Sequence, residues 1–539
     1  MLDVVIVGAG VCGLALARSL HLRGQDFQLF EARARLGGRI ASAVTAESGL
    51  VLDLGPTWYW PQTQPLFANL VSELGLADFP QYEDGAALHL NDPDKAVERI
   101  EDRRFHEGAR RLDGGMVTLV DALAEHLPAA KIHLGHVLMS VRGLADRVAL
   151  TFEVGGASVE VEARHGVLAV PPRLLDEHVM FEPMLDDALR DAMRNAATWM
   201  AAQAKAVVAY DRHPWRGNGF SGAAFVTHEQ AVLGEIFDAC DGSGEKAALG
   251  GFLALTPALR SAFADGLPML INNQMTQVFG SALEQGELHY RDWATERFTC
   301  SALDIEAPAA ETAGIANPLL RQPQWEGRLF LGGTETATRG AGHVEGALYA
   351  AQRIDRALGR ALPEADRTPD DDGSVPSNEA VLAQFHTWAV AQRDSVFENY
   401  RRRLHRGLAA QQREQLTQIA MLGAMEDVFA DALGVLETLS FDMQNVAVDR
   451  GRSALTPEIQ KPFRDVMQSL QDDVIAFNRT SCALSNFPDE SRPAQEYIRT
   501  ILRDIAAAWR EFSLAANRIL VAKAGAAEQS QSSSAIKVS

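Results

Sequence analysis

The chain has 539 residues, of which 47% are hydrophobic and 22% are charged. This composition is typical of globular proteins, and the length predicts two or three domains. A formal net charge of −21 argues against a nucleic-acid partner, because phosphate backbones are bound by Lys and Arg. The four cysteines, Cys12, Cys240, Cys300 and Cys482, lack C-x-x-C spacing, which argues against a metal site or a disulfide framework. We therefore expect a cytoplasmic, metal-free protein, and no uninterrupted apolar run is long enough to cross a membrane.

The first residues predict a strand, a glycine-rich turn and a helix. Residues 4–7 are apolar and mostly β-branched, as in a strand buried on both faces. Gly8, Gly10 and Gly13 then form a G-x-G-x-x-G pattern. The first glycine permits a tight turn, the second lets the backbone approach a pyrophosphate, and the third lets the next helix pack on the strand. The pattern predicts a dinucleotide-binding turn, and the helix N-terminus favours the phosphates.

A second strand over residues 27–30 ends in Glu31. Its carboxylate lies where an adenosine ribose would be bound, and it would repel a 2′-phosphate, so NADP is disfavoured. Residues 35–39, Arg-Leu-Gly-Gly-Arg, follow. This extension resembles the one that flavoproteins of the glutathione-reductase type carry after the ribose-binding Glu, which favours FAD over NAD. The alternative is a solvated basic loop.

The order of the next motifs is similar to one enzyme family. Gly8-Ala9-Gly10, Glu31, Gly37-Gly38-Arg39 and Asp53-Leu54-Gly55 together resemble the flavin-containing amine oxidases, which include monoamine and polyamine oxidases. The resemblance implies an FAD site to which the first part of the chain contributes Arg33, Gly38, Arg39, Gly55, Pro56 and Thr57.

The segment 132–172 predicts mainly strands. Residues 132–134, 137–141, 148–154 and 159–161 predict a small antiparallel sheet, and residues 166–172 a separate buried strand stopped by prolines. Members of the family bind the adenine with backbone groups near such a segment. Val137 is the matching candidate, and a plain core valine is the alternative.

Lys205 stands at the head of an apolar strand over residues 204–210. Burying a lysine without a partner is costly, so its head either reaches water at the strand edge or serves a purpose in the interior. In amine oxidases, a lysine in this context holds a water near flavin N5, where the reduced ring reacts with O₂. The resemblance implies this role for Lys205.

The third motif runs through Gly333-Thr334-Glu335-Thr336 and into a helix near Val344. A helix N-terminus there suits the negative charge that develops on a reduced flavin. The resemblance implies that backbone near Gly333 and Val344 faces the flavin and that Glu335 contacts the ribityl or pyrophosphate region. Some monoamine oxidases join a cysteine to the flavin, but the matching position here is Ala302, so we expect non-covalent FAD.

Many amine oxidases place two facing aromatic rings before the flavin. The corresponding positions here are Leu303 and His343, so the usual tyrosine pair is missing and the amine path is altered. His343 is a candidate polar lining residue or proton acceptor, and a packed imidazole is the alternative.

We therefore expect an α/β protein. A Rossmann-type, glutathione-reductase-like FAD domain takes residues 1–60, 105–172 and 314–362, and an interleaved α+β substrate domain takes residues 61–104 and 173–313. A polar linker at 363–378 leads to a C-terminal all-α bundle at 379–524, which the resemblance does not cover. Residues 525–539, rich in Ser and Gln, are expected to be disordered.

The functional expectation is an FAD-dependent amine oxidase that converts an amine to an imine and then a carbonyl product, with O₂ reduced to H₂O₂. The first alternative is a flavin-dependent desaturase or oxidative cyclase acting on a biosynthetic intermediate, which the missing tyrosine pair keeps open. The second is an assembly protein that binds a partner, or a second copy of itself, through residues 379–524.

Overall fold

The structure is a computed structural model, and it describes residues 1–101, 104–306, 317–361, 378–409, 415–439, 441–443, 446–449, 451–480, 484, 490 and 493–536. The chain divides into two compact units, Met1–Arg367 and Thr368–Ser539. Within the described ranges, no helix is both long enough and apolar enough to span a bilayer. The predicted linker at 363–378 lies outside the described residues except for Asn378.

The strands are β1 (Leu2–Val7), β2 (Phe27–Phe30), β3 (Ser42–Val44), β4 (Val51–Asp53), β5 (Asp78–Pro80), β6 (Ala86–Leu90), β7 (Glu98–Ile100), β8 (Arg110–Leu112), β9 (Ile132–His133), β10 (Val137–Gly143), β11 (Val148–Val154), β12 (Ala157–Leu168), β13 (Met180–Glu182), β14 (Ala204–Tyr210), β15 (Phe220–Val226), β16 (Leu233–Asp238), β17 (Ala247–Leu253), β18 (Glu287–Asp292), β19 (Leu329–Leu331), β20 (Val448–Asp449) and β21 (Arg452–Ser453).

The α-helices are α1 (Val11–Leu22), α2 (Pro65–Glu73), α3 (Val117–Glu125), α4 (Pro172–His178), α5 (Asp187–Asn195), α6 (Pro214–Gly217), α7 (Pro257–Ala262), α8 (Leu267–Phe279), α9 (Ala302–Glu306), α10 (Val344–Ala361), α11 (Asn378–Ala409), α12 (Leu416–Thr438), α13 (Thr456–Thr480) and α14 (Gln495–Ile536). Short 3₁₀ helices lie at Ala129–Lys131, Ser281–Leu283, Trp293–Thr295, Pro318–Arg321, Trp325–Gly327 and Thr334–Thr336.

The first sheet has the strand order β13-β10-β11-β12-β1-β2-β9, and β19 also pairs with β12. Its centre is parallel, because β1 runs parallel to both β2 and β12. Val4, Val5 and Ile6 have no exposed surface, as expected for a strand covered on both faces. Helices α1, α3 and α10 contribute side chains to the hydrophobic cluster that contains Val4 and Ile6.

Strand β12 differs from the sequence expectation, because residues 159–161 and 166–168 belong to one strand of twelve residues. Residues 157–163 pair antiparallel with β11, and residues 163–168 pair parallel with β1. The sequence pattern changes where a half-exposed segment becomes fully buried, and this change suggested two strands. The prediction for residues 132–134 is also corrected, because β9 pairs parallel with β2 and does not join the antiparallel strands.

The second sheet has the order β18-β14-β17-β16-β15-β6-β7. On one face, Ala206 and Val208 of β14 belong to the hydrophobic cluster that includes Ile271 of α8. On the other face, Val207 clusters with Leu52 near β4. Side chains alternate between the faces of a strand, so Lys205 shares the second face, which is directed toward β4.

In its described residues, the C-terminal unit consists mainly of the helices α11 to α14, together with the short hairpin of β20 and β21. Aromatic rings fill its core: Phe429 stacks on Phe512 at 4.8 Å, and Phe463 meets Phe512 edge-on at 5.1 Å. Helix α14 continues to Ile536, whereas the sequence predicted disorder from residue 525. Alanine, glutamate and glutamine are good helix formers, so this polar composition is compatible with a helix. Residues 537–539 lie outside the described ranges.

Candidate active site

A cavity of about 730 Å³ lies in the first unit, bordered by both sheets. Its wall includes the turns after β1, β2 and β4, the end of β12, the start of β14 and the start of α10. The predicted site residues in this wall are Gly8, Gly10, Glu31, Arg33, Gly38, Arg39, Gly55, Pro56, Thr57, Val137, Lys205, Gly333, His343 and Val344. Gly13, Glu335 and Leu303 are not part of the wall.

The glycine turn after β1 contains one glycine that is needed for packing, Gly13, and one that faces open space, Gly10. A Cβ added to Gly13 would lie 2.0 Å from the Gly8 carbonyl oxygen, so this glycine lets α1 pack on the strand. A Cβ added to Gly10 would meet nothing within 4 Å. Gly10 is also the N-cap of α1, where N–H groups lack helical partners. The turn therefore offers bare backbone and a helix N-terminus to an anionic group in the cavity.

Glu31 is held rigidly at one end of the cavity, named here the ribose end. The buried carboxylate accepts hydrogen bonds from the backbone N–H groups of Ala9 at 2.8 Å and Arg33 at 3.0 Å. The Glu31 carbonyl accepts from the N–H of His136 at 2.9 Å, which brings the neighbouring Val137 into the same end. Glu153 pairs with Val137 across β10 and β11 and also lines the wall.

Glu335 lies beside the cavity wall, and its contact with the ribityl or pyrophosphate region stays a prediction. Its side chain is buried behind the wall, where Oε1 lies 2.7 Å from Nη2 of Arg39. Arg39 lines the cavity and also donates to the Trp199 carbonyl at 3.3 Å. The 3₁₀ helix after Gly333 turns Glu335 inward, so the carboxylate orients an arginine in the wall and does not itself line the cavity.

Lys205 is buried in the wall, with 2% of its surface exposed. Its Nζ donates to the Gly55 carbonyl at 3.0 Å and to Thr57 Oγ1, and it lies over the rings of Phe237 and Phe252 at 5.2 and 5.6 Å. Burial lowers the pKa of Lys205 to about 7, although the charge of Asp53 opposes the shift. The alternative of a strand-edge lysine that reaches bulk water is therefore wrong.

This burial makes the stability of the protein depend on pH. The native lysine releases its proton near pH 7, whereas an unfolded lysine keeps it to about 10.5. Between these values the unfolded state binds more protons, so the free energy of unfolding rises with pH. Between about pH 6 and 9.5, we expect the free energy of unfolding of the wild type to increase by on the order of 3 kcal/mol more than that of Lys205→Met. Urea titrations with saturating FAD measure this difference, and parallel pH curves for the two proteins would contradict it.

Another part of the wall, named here the reactive end, is largely aromatic. The His343 ring meets the Trp199 ring at 6.2 Å with an interplanar angle of 81°. A Cβ on Gly342 would lie 2.7 Å from Trp199 Cγ, so this glycine permits the close approach of the indole. Burial, followed by the charge of Arg39, lowers the pKa of His343, so the imidazole is neutral at pH 7. Further wall residues near this end are Trp58, Trp60, Gln64, Met200, Gln203 and Phe252.

Leu303 does not line the cavity, which corrects its predicted place facing His343. It lies on α9, whereas the wall is formed by residues 297–299 in the preceding turn. The buried neighbour of Leu303, Asp304, has a positioning role. Asp304 accepts from the Thr198 N–H at 2.9 Å and pairs with Arg173 at 2.7 Å. It thereby fixes the segment that presents Trp199.

Met200 follows Trp199 in the wall and has an unusual backbone conformation. Its φ is +61°, in the left-handed region that residues with a side chain rarely adopt. Such a conformation costs about 1 kcal/mol or more. It persists here beside the hydrogen bond from Arg39 to the Trp199 carbonyl.

A family model and individual relatives point to the same group of proteins. The family model described as flavin containing amine oxidoreductase matches residues 11–100 and 95–354. Amine oxidase [flavin-containing] B of Canis lupus familiaris is 24% identical, covering 72% of this chain and 92% of its own length. Putrescine oxidase of Kocuria rosea is also 24% identical, and the match covers 64% of this chain and 92% of the relative.

Among solved structures, cyclohexylamine oxidase from Brevibacterium oxydans IH-35A superposes with a TM-score of 0.55. It is 20% identical, and the match covers 67% of this chain and 99% of that one. The likeness confirms the predicted fold class, a Rossmann-type α/β domain with an interleaved α+β region and an additional C-terminal helical region. The family match ends at residue 354, before the C-terminal unit begins.

Proposed function

Because this chain belongs to the flavin containing amine oxidoreductases, a family whose model matches it over residues 11–354, we propose that it oxidises an amine that carries one amino group on an aromatic or alicyclic body. The family makes the protein an FAD-dependent oxidoreductase acting on CH–NH₂ or CH–NH groups. The proposed acceptor of the electrons is O₂, and the proposed products are H₂O₂ and an imine that hydrolyses to a carbonyl compound.

The cavity wall supports the choice of substrate. In the described lining, the carboxylates are Glu31 and Glu153, both at the ribose end. The reactive end presents indole, phenyl and imidazole rings. A second ammonium group of a diamine would be desolvated there without a carboxylate partner, which is costly. A ring or branched hydrocarbon instead buries apolar surface against these side chains.

The residues of the wall fit FAD. Glu31 is placed to accept from the ribose hydroxyls, the bare backbone at Gly10 and the N-terminus of α1 suit the pyrophosphate, and the start of α10 at Val344 suits a developing negative charge. When bound, FAD supplies the acceptor for the hydride equivalent that leaves the amine. Cys300 and Ala302 do not line the cavity, which supports a non-covalent complex.

The side chains at the reactive end have separate tasks in this proposal. Trp199 and the Trp58–Trp60 segment hold the body of the amine and exclude water, which aligns the reacting C–H bond. The neutral imidazole of His343 accepts a proton from the substrate ammonium, leaving the amine neutral. In its protonated form, Lys205 has three N–H donors and two protein acceptors, Gly55 and Thr57. The third donor holds a water at the O₂ side.

Anaerobic stopped-flow mixing with benzylamine, cyclohexylamine and putrescine tests the proposal. We expect the first two amines to bleach the flavin absorbance, putrescine to react much more slowly, and peroxide and a carbonyl product to appear after air is admitted. Bleaching by none of these amines would remove the main support for amine oxidation. Faster reaction with putrescine would refute the substrate class, and an unsaturated product that retains nitrogen would indicate desaturation instead.

A further inference from the structure

The loop of residues 104–109, between β7 and β8, lies behind two aromatic residues of the cavity wall. The imidazole of His106 stacks on Trp58, with ring centroids 4.3 Å apart and planes inclined by 27°. One residue later, the Glu107 carbonyl accepts a hydrogen bond from Trp60 Nε1 at 3.2 Å. His106 is buried, with 7% of its surface exposed, and it does not line the cavity.

Two carboxylates hold the imidazole. Nε2 of His106 lies 3.0 Å from Glu235 Oε1 on β16, and Nδ1 lies 3.4 Å from Glu83 Oε1 in the segment before β6. Glu83 is itself fixed, because it accepts the N–H groups of Phe105 and His106 at 2.7 and 2.6 Å. Burial alone would lower the pKa of His106, but the hydrogen bonds to Glu235 and Glu83 raise it to about 9. The ring is therefore an imidazolium at neutral pH.

Trp58 has further contacts besides His106. Its Nε1 donates to Gln81 Oε1 at 2.8 Å, its ring meets the Phe237 ring in a T-shaped contact at 4.5 Å, and its ring centroid lies 6.3 Å from that of Phe252. A cation against the face of an indole is attracted by the ring's π electrons. His106 supplies this cation on the side of Trp58 away from the cavity.

We propose that His106 is a positioning residue for the substrate: as an imidazolium clamped by Glu83 and Glu235, it holds the Trp58 indole in the orientation that binds the body of the amine. The inference rests on the proposed function. His106 does not line the cavity, so it acts through Trp58 on amine affinity and not on the chemical step. Above about pH 9 the cation is lost and amine binding weakens. The charged groups facing it are Glu83 and Glu235, and Glu235 also interacts with the charge of Lys205.

The test compares His106→Phe, which keeps a ring but no charge, and His106→Gln, which keeps polarity without the ring. His126→Gln at the C-cap of α3 is the matched control. In the described part of the chain, the His126 ring hydrogen-bonds only the Ala122 carbonyl of that helix. Anaerobic reduction of the FAD-loaded proteins by cyclohexylamine gives an apparent Kd and a limiting rate. For both His106 variants we expect the Kd to rise about tenfold, with a limiting rate within about twofold of wild type. Unchanged Kd values would overturn the proposal, as would an equal loss in His126→Gln.

The pH dependence separates positioning from a merely structural role. The apparent Kd of the wild type should increase as the pH passes about 9, and this step should be missing from both His106 variants assayed with the same amine. A step of equal size in all proteins would belong to the amine and would overturn the proposal.

Tryptophan fluorescence of the FAD-loaded protein without amine provides a readout that is independent of turnover. The emission should rise near pH 9 when the stacked imidazolium loses its charge, and Trp58→Phe should abolish that rise. A rise that persists in Trp58→Phe, or no rise in the wild type, would refute the pairing. Failure of all amines to reduce the wild type would instead refute the proposed function and leave this measurement to decide the role of His106.

Discussion

Replacing Lys205 by Met is expected to slow the reaction of the reduced enzyme with O₂ by at least about 100-fold, the magnitude typical for removal of one preorganised donor at a reacting centre. The side chain of Met has a similar length, but it can neither donate the hydrogen bonds of Nζ to Gly55 and Thr57 nor hold the proposed water. Reduction by the amine, which does not use this donor, should stay within about threefold.

Stopped-flow mixing of the amine-reduced protein with O₂-saturated buffer measures the first rate, and anaerobic mixing with amine measures the second. Lys95→Met is the matched control, because the Lys95 side chain is 69% exposed and pairs only with the nearby Asp92 among the recorded ion pairs. Equal reoxidation rates in wild type and Lys205→Met would remove the lysine from the oxidative half of the reaction.

Substitutions at Gly10 and Gly13 should impair different properties, FAD binding at Gly10 and folding stability at Gly13. Gly10→Val adds a side chain where the structure has open space, so the protein should fold but carry less than about a tenth of the wild-type FAD, because backbone approach to the pyrophosphate is blocked. Gly13→Ala forces a Cβ to within 2.0 Å of the Gly8 carbonyl oxygen. It should therefore cost roughly 3 kcal/mol or more of folding free energy, since neither the strand nor the helix can move freely.

The ratio of flavin to protein absorbance after purification, together with urea unfolding, distinguishes the two outcomes. If Gly10→Val keeps a full complement of FAD, the assignment of the open backbone to the cofactor is incorrect. If Gly13→Ala unfolds at the same urea concentration as wild type, the close packing of α1 on the strand is not required.

Predictions from sequence were reliable where the relevant contacts are local. Gly8 and Gly10 lie within one turn, and Glu31 follows the next strand, so their spacing alone places them in the cavity wall. Gly13, three residues after Gly10, packs α1 on the strand. Lys205 also follows from local pattern, because alternation along β14 directs it to the same face as Val207.

The errors concern residues whose position depends on distant parts of the chain. Trp199 lies beside His343 although 143 intervening residues separate them, and sequence spacing carries no signal for that contact. The resemblance implied Leu303 as a group facing His343, but the turn after Trp293 brings residues 297–299 to the wall before α9 leads away. The role of His106 was missed for the same reason, because Trp58, Glu83 and Glu235 come from three separate segments.

The left-handed backbone conformation of Met200 is costly for folding, whereas the wall that it belongs to serves activity. Glycine at this position would adopt the same φ without steric cost, so Met200→Gly would relieve strain while giving the unfolded chain more freedom. It would also let the peptide after Trp199 rotate. Substitutions at residue 200 that permit other backbone conformations would therefore loosen the wall opposite His343, and stability gained in this way would be obtained at the expense of turnover.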